Sequence, residues 1–180
     1  MKVYIFGAAG SGTTTQGIDL ANKLDIPFFD SDLYFWEDTE IPFMIRRKPE
    51  LRNEMLETAV HHLESYVIGG GSLPNWDHGW LQTFDFAVFL YIPQKLRLER
   101  LQQREYQRFG ELLFSDAERN RQYIEFMAWC QGYDDDTARG RTLGVHKKWI
   151  HEFSCPVLQL ITDLPVSQKT GIIIRHLESI

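Results

Sequence analysis

Near its start the chain has a short apolar run, Val3–Phe6, that ends at Gly7 and gives way to Gly7-Ala8-Ala9-Gly10-Ser11-Gly12-Thr13-Thr14. An apolar run this short reads as a buried strand. After the glycines, Gly17, Leu20, Ala21 and Leu24 recur at i, i+3, i+4 and i+7, the stripe of a helix that packs one face on a sheet. A strand, a glycine-rich turn and a helix, in that order, open an α/β domain and leave little room for an all-β or all-helical fold.

The rest of the chain continues the alternation. Ile26–Phe29 reads as a second strand stopped by Asp30-Ser31-Asp32, and Leu51, Met55, Ala59 and Leu63 mark a helix. Tyr66–Ile68 is a third strand, broken by Gly69-Gly70-Gly71. Phe86–Ile92, ended by Pro93, is a fourth and central one, and Cys155–Ile161 is a fifth. Val166, Thr170, Ile173, Ile174 and Leu177 give a closing helix with Pro165 near its first turn. The pattern predicts an α/β fold, a five-stranded parallel sheet with helices on both faces. Between strands four and five the alternation stops, and residues 94–153 carry three helical patterns. One opens with a capping box, Ser115-Asp116-Ala117-Glu118, and buries Tyr123, Phe126, Met127 and Cys130 before Gly132. An all-helical insertion at this point is where a covering lid would sit.

A length of 180 residues suits a single domain, and 43% apolar with 13% aromatic residues supplies a core. A net charge of −6 argues against a non-specific nucleic-acid binder, which needs a basic field. Cys130 and Cys155 lack the CxxC spacing of redox or zinc sites and read as reduced thiols. The N-terminal apolar run is too short for a signal segment, and no stretch approaches the roughly 20 residues of a membrane span, so a soluble, cytoplasmic protein without membrane contact is expected.

Gly7 to Thr14 fits G-x-x-x-x-G-[K]-[ST] at every position except the lysine, where Thr13 stands. Small residues let the backbone N–H groups converge on phosphate oxygens at a helix N-terminus, where the dipole favours an anion. Gly7, Gly10, Ser11, Gly12, Thr13, Thr14 and Thr15 are therefore the candidate nucleotide contacts, with Thr14 where a magnesium-binding hydroxyl belongs. A lysine at position 13 would offset β- and γ-phosphate charge, so a cation must arrive from elsewhere or the site binds nucleotide without efficient transfer. A rival reading uses Gly7, Gly10, Gly12 and Asp30 as a dinucleotide fingerprint, although its spacing is wrong and the chain is short for six strands.

Asp30 and Asp32 follow the second strand, at the sheet edge where open α/β sheets bind ligands. They suit magnesium held through water and a substrate hydroxyl, or else a capped polar turn. Gly69, Gly70, Gly71 and Ser72 end the third strand on the same edge, a close approach of backbone to a ligand or a flexible loop. Arg97, Arg100, Arg104 and Arg108 share a narrow helical arc. Cations that repel one another at that spacing suggest an anion among them, with a solvated basic face as the alternative. Arg139 and Arg141 lie across the lid and could close on the same anion. Trp36, Trp76 and Trp80 are pocket walls or core, while His61, His62 and His146 lack metal-ligand spacing.

Together the stretches GAAGSGTTT, FDSDLYFW, GGGS, RLERLQQREYQRFG and GYDD resemble the nucleoside-monophosphate kinase and shikimate kinase group of P-loop proteins. More closely, the chain is similar to bacterial adenylate-kinase-like proteins with GTT in place of GKT. The resemblance covers nearly the whole chain. It implies a P-loop NTPase core over residues 1–32, 66–103 and 142–180, a substrate-binding helical region over 33–65 and a lid over 104–141. It also implies ATP or another nucleoside triphosphate with Mg²⁺, metal-water contact for Asp30, and substrate-hydroxyl contact for Asp32. Gly70 and Gly71 would lie beside the substrate, with Arg46 and Arg47 near its anionic group and Arg104 and Arg108 assisting transfer from the lid. The reading is ATP-dependent phosphoryl transfer to a nucleoside monophosphate or hydroxylated metabolite. The alternative is a nucleotide-binding regulatory or adaptor protein without efficient turnover.

Overall fold

The computed structural model describes residues 1–39, 43 and 45–179, so residues 40–42 and 44 of the expected substrate-binding region lie outside the described residues, as does Ile180. Five strands, β1 (Lys2–Gly7), β2 (Phe28–Asp30), β3 (Tyr66–Gly69), β4 (Phe86–Tyr91) and β5 (Val157–Ile161), form one sheet in the order β2-β3-β1-β4-β5. All four pairings are parallel. This order, with five strands, excludes the dinucleotide reading, whose sheet runs 3-2-1-4-5-6.

β1 is central and buried on both faces, so its side chains divide between two cores. Tyr4 and Phe6 face one core with Ile68, Ala87 and Phe89, and Val3 and Ile5 face the other with Val67, Val88 and Leu90. Helix α1 (Thr13–Leu24) and helix α8 (Val166–Leu177) cover the second face through Leu20, Ala21 and Ile173. A buried polar tie joins these two helices: Gln16 Nε2 donates to Thr170 Oγ1 at 2.6 Å, and Thr170 donates to Asp19. Helix α3 (Pro49–Val60) and helix α7 (Leu143–Glu152) cover the first face with Leu56, Val60 and Trp149. Short helix α2 (Ser31–Phe35) leads away from β2.

Between β4 and β5 lie four helices rather than three: α4 (Gln94–Phe109), the four-residue α5 (Leu112–Ser115), α6 (Ala117–Gln131) and α7. The capping-box expectation is corrected. Asp116, not Ser115, caps α6, accepting from the Arg119 N–H at 2.7 Å, while Ser115 closes α5 by donating to the Glu111 carbonyl. The α3 stripe is corrected as well. Leu51 and Met55 are exposed, and the helix docks by Leu56 and Val60 because those two meet the aromatic face of the sheet. No helix among the described residues is long and apolar enough to cross a membrane.

His146 of α7 is fully buried against Phe6, Phe89 and Trp149. Its Nε2 lies 2.8 Å from the Gly71 carbonyl and its Nδ1 2.8 Å from the Tyr133 hydroxyl. A carbonyl only accepts, so Nε2 carries the proton and Nδ1 accepts from Tyr133. Burial, opposed by the Gly71 bond and reinforced by Arg141, pushes the imidazole down from 6.5 to about 3. The unfolded chain then binds one more proton than the folded one between those values. Stability from this group is complete above about pH 6.5 and is lost as pH falls toward 3. The slope contributed is at most about 1.4 kcal/mol per pH unit. Denaturant unfolding between pH 5 and 7 should show a steeper acid-side loss for the wild type than for His146→Gln, whose amide can make both bonds without titrating.

Candidate functional site

The turn between β1 and α1 is shaped by two glycines in the left-handed region, Gly10 at φ 80° and Gly12 at φ 92°. Within it only the Ser11 N–H is used internally, on the Ala8 carbonyl at 3.1 Å. The N–H groups of Gly10, Gly12 and Thr13 meet no acceptor among the described residues, and those of Thr14 and Thr15 stand in the first turn of α1, which has no intrahelical partner for them. The Ser11 hydroxyl is buried without a partner. Free N–H groups at the start of a twelve-residue helix are an environment that favours an anion. The loop is pressed against α4: a side chain at Gly10 would meet the Arg97 carbonyl at 2.9 Å and Leu101 at 3.0 Å. Ala9 packs on a small core of Leu101, Met127 and Cys130.

The edge of the sheet brings the two aspartates beside this loop. Thr14 Oγ1 donates to Asp30 Oδ2 at 2.9 Å, and the other Asp30 oxygen caps α2 by accepting from the Asp32 N–H, also at 2.9 Å. Asp30 is thus both a helix cap and the partner of Thr14. Burial and then the neighbouring Asp32 raise its carboxyl above the usual range, while its hydrogen bonds and Arg141 pull the other way. Asp32 is half-exposed, with Arg141 Nη2 3.6 Å from its Oδ1. Arg141 Nε donates to Ser72 Oγ at 2.9 Å, and the guanidinium lies 5.5 Å above the Trp129 ring. Gly71 leaves space for all of this, because a Cβ there would strike the Gly7 carbonyl and sit 2.7 Å from Arg141 Cζ. Gly70, at φ 151°, passes the Ser31 side chain equally closely. A hydroxyl and a carboxylate side by side suit Mg²⁺, which keeps most of its water and takes one or two protein carboxylates. No cluster of three or more His, Cys, Asp or Glu side chains suited to a metal occurs among the described residues.

The arginine stripe divides differently from its spacing. Arg97 is fully buried: it is ion-paired with Asp134, donates to the Ala9 carbonyl at 3.3 Å, and lies 4.8 Å over the Tyr133 ring. Its place among anion-facing cations is therefore corrected. Arg100 pairs with Asp163 at the entrance to α8. Arg104 and Arg108 share Glu105, at 2.8 and 3.5 Å, so the repulsion along this face is met by one half-turn carboxylate. Arg108 still lines a cavity of about 690 Å³ with Asp32, Trp36, Phe43 and Phe109, a volume ordinary for a small-molecule site. Arg47 donates to the Leu33 and Tyr34 carbonyls, which fixes it as a brace for α2. Arg46 lies over Phe35 and Trp36. Arg52, which sequence reading passed over, lies between Phe35 at 4.9 Å and Trp76 at 4.7 Å, with its Nε buried and unpartnered. Nothing in the sequence says which aromatic planes it meets. Trp80 is core, and Arg139 is exposed.

No known family's sequence profile matches the chain. The uncharacterized protein YqaC of Bacillus subtilis (strain 168) is 33% identical over 178 residues, covering 99% of this chain and 98% of that one. Shikimate kinase of Acinetobacter baumannii (strain AYE) is 33% identical over 110 residues, 55% of this chain. The match spans about 60% of the length of that kinase. A solved structure of shikimate kinase from A. baumannii in complex with shikimate superposes with a TM-score of 0.59 at 18% identity, covering 99% of this chain and 93% of that one. Deoxyadenosine kinase from M. mycoides, solved with dCMP and dCDP, superposes with a TM-score of 0.57 at 18% identity over the full length of both. The shared sheet, loop and helices are those of the P-loop NTPase fold, and the full-length identity places this chain in one family with Bacillus subtilis YqaC.

Proposed function

We infer that this protein transfers the γ-phosphoryl group of ATP to a hydroxyl or phosphate oxygen of a small substrate. The observation that carries this reading is the junction of two half-sites at one sheet edge: the open N–H receptor of Gly10 to Thr15 and, joined to it by the Thr14–Asp30 hydrogen bond, Asp32 at the mouth of the cavity. The kinase activity of the shikimate and deoxyadenosine kinases that share the fold supports it, as does the sequence match to shikimate kinases. The resemblance to adenylate-kinase-like proteins with GTT loops points the same way.

In this reading the N–H groups of Gly10, Gly12 and Thr13 hold the donor phosphates, with Gly7 leaving room and Ser11 offering its hydroxyl, and Thr14 with Asp30 would hold hydrated Mg²⁺. Held there, the ion would supply charge neutralisation on the donor phosphates. Asp32 accepts the proton of the attacking hydroxyl and orients it, a role its exposure and its place at the cavity permit. Gly70 and Gly71 keep the acceptor side free of side chains. Arg108, and Arg104 behind it, approach from the α4 end, and Arg46 beside Arg52 offers an anionic substrate group its counter-charge while Arg47 braces α2. Such a reaction depends on positioning and charge stabilisation more than on covalent chemistry. A second reading, a nucleotide-binding regulatory protein without turnover, draws on Thr13 in the place of the lysine. ADP formation from Mg·ATP over a panel of hydroxylated carboxylic acids, nucleosides and nucleoside monophosphates separates the two, since the second predicts none with any acceptor.

Two substitutions divide the half-sites. Thr14→Ala should abolish the Mg²⁺-dependent part of ATP affinity while leaving the metal-free part within a few-fold, measured by calorimetry with and without the ion. Asp32→Asn should lower kcat by roughly 10²-fold or more, the contribution of a positioned base, with ATP affinity within a few-fold of wild type. Equal losses of ATP affinity in both variants would mean that Thr14 and Asp32 belong to one structural turn and not to two half-sites.

A further inference from the structure

The loop lacks the cation that its pattern calls for, and the fold brings one to it from another element. Each arginine of α4 is ion-paired with a carboxylate outside the loop and the aspartate pair: Arg97 with Asp134, Arg100 with Asp163, and Arg104 and Arg108 with Glu105, although Arg108 also lies in the field of Asp30 and Asp32 across the cavity. Arg141 is different. Its side chain is 12% exposed, and its carboxylate partner is the site's own Asp32. Three contacts fix its plane: the Nε–H on Ser72, Nη2 facing Asp32, and the Trp129 ring, itself held by its indole N–H on the Arg139 carbonyl at 3.0 Å. The point where a Gly71 Cβ would stand touches both the Gly7 carbonyl, first residue of the loop, and the Arg141 guanidinium. The guanidinium therefore lies beside the mouth of the loop, between it and the acceptor acid. Its Nη1 amino group makes no hydrogen bond among the described residues. An arginine offers five N–H donors in a rigid fork and remains charged at any working pH, so two of its edges can serve the protein while a third meets an oxyanion.

We propose that Arg141 is the phosphate-binding cation of this site, reaching the terminal phosphates of the donor nucleotide in place of the lysine that Thr13 displaces. The neutral state of His146 belongs to the same arrangement: a protonated imidazole bonded to the Gly71 carbonyl would add a second positive charge beside the guanidinium. Gly71 has no side chain because any would separate Arg141 from the loop.

The inference rests on the reading that the loop holds a nucleoside triphosphate, and a four-protein cycle tests the two separately. Mg·ATP affinity is measured by calorimetry for wild type, Arg141→Gln, Thr13→Lys and the double variant. Arg141→Gln should bind Mg·ATP roughly tenfold to a hundredfold more weakly, the loss of one charge-assisted contact. Thr13→Lys should restore most of that affinity in the Arg141→Gln background and change the wild type much less. Arg141→Lys, which keeps the charge but cannot make the fork contacts to Ser72 and Asp32 together, should fall within a few-fold of wild type and guards against a purely structural role. Normal Mg·ATP binding by Arg141→Gln, or equal effects of Thr13→Lys in both backgrounds, would overturn the assignment to Arg141. A wild type that binds no Mg·ATP would overturn the nucleotide reading beneath it, and binding without turnover on any acceptor would leave the cation assignment intact while sinking the kinase.

Discussion

A fully buried guanidinium must be neutralised or it destabilises the fold by several kcal/mol, and Arg97 is neutralised by Asp134 and donates to the Ala9 carbonyl, with its Nε left buried and unpartnered. Its partners come from two places: the Ala9 carbonyl from the loop, and Asp134 with the neighbouring Tyr133 ring from the segment after α6. Asp134 is held in turn by the Tyr91 hydroxyl at the end of β4, at 2.9 Å. One charge thereby ties the loop, the central sheet and the exit of α6. Removing either member of such a pair leaves the other uncompensated, which costs about 3–5 kcal/mol.

From Tyr133 the same chain of polar contacts continues into the core. The Tyr133 hydroxyl donates to His146, His146 donates to the Gly71 carbonyl, and the next residue, Ser72, accepts from Arg141. Arg141 faces Asp32, and Asp32 supplies the N–H that fixes Asp30, which holds Thr14. The loop and the edge that carries Asp30 and Asp32 are therefore joined by one series of polar contacts, buried at Tyr133 and His146 and open to solvent at Asp32. Interior hydrogen bonds of this kind act at low local dielectric, where they are strong when complete and costly when broken. The high carboxyl pKa direction of Asp30 and the low imidazole pKa of His146 have a common origin, since both groups are withdrawn from water beside others of like charge.

Apolar periodicity and glycine punctuation made the sheet legible, since a strand buried on both faces is a short unbroken apolar run whatever it packs against. The observed strands differ from the expected ones only at their ends. Pro27 and Pro156 lack an N–H, so β2 and β5 begin after them at Phe28 and Val157. The helix faces were less legible. On α3 two apolar stripes compete, and the choice of Leu56 and Val60 over Leu51 and Met55 depends on where the aromatic cluster of Tyr4, Tyr66 and Phe84 lies, which no local pattern encodes. The cap of α6 went to Asp116 rather than to its neighbour Ser115 for a comparable reason, since Ser115 is held by the end of α5.

For the site, the sequence by itself determined the loop, because left-handed glycines and a free helix N-terminus are properties of adjacent residues. It also determined the pair Asp30 and Asp32 at the end of a strand, where a parallel sheet always presents its ligand edge. Only the tertiary structure decided which cations belong to that edge. Four arginines in helical register on α4 carried the stronger local signal, yet their guanidiniums are ion-paired with Asp134, Asp163 and Glu105, while Arg141, marked in the sequence only together with Arg139, crosses to Asp32. A charge pair depends on distance in space and on exclusion of water, and neither is a function of separation along the chain.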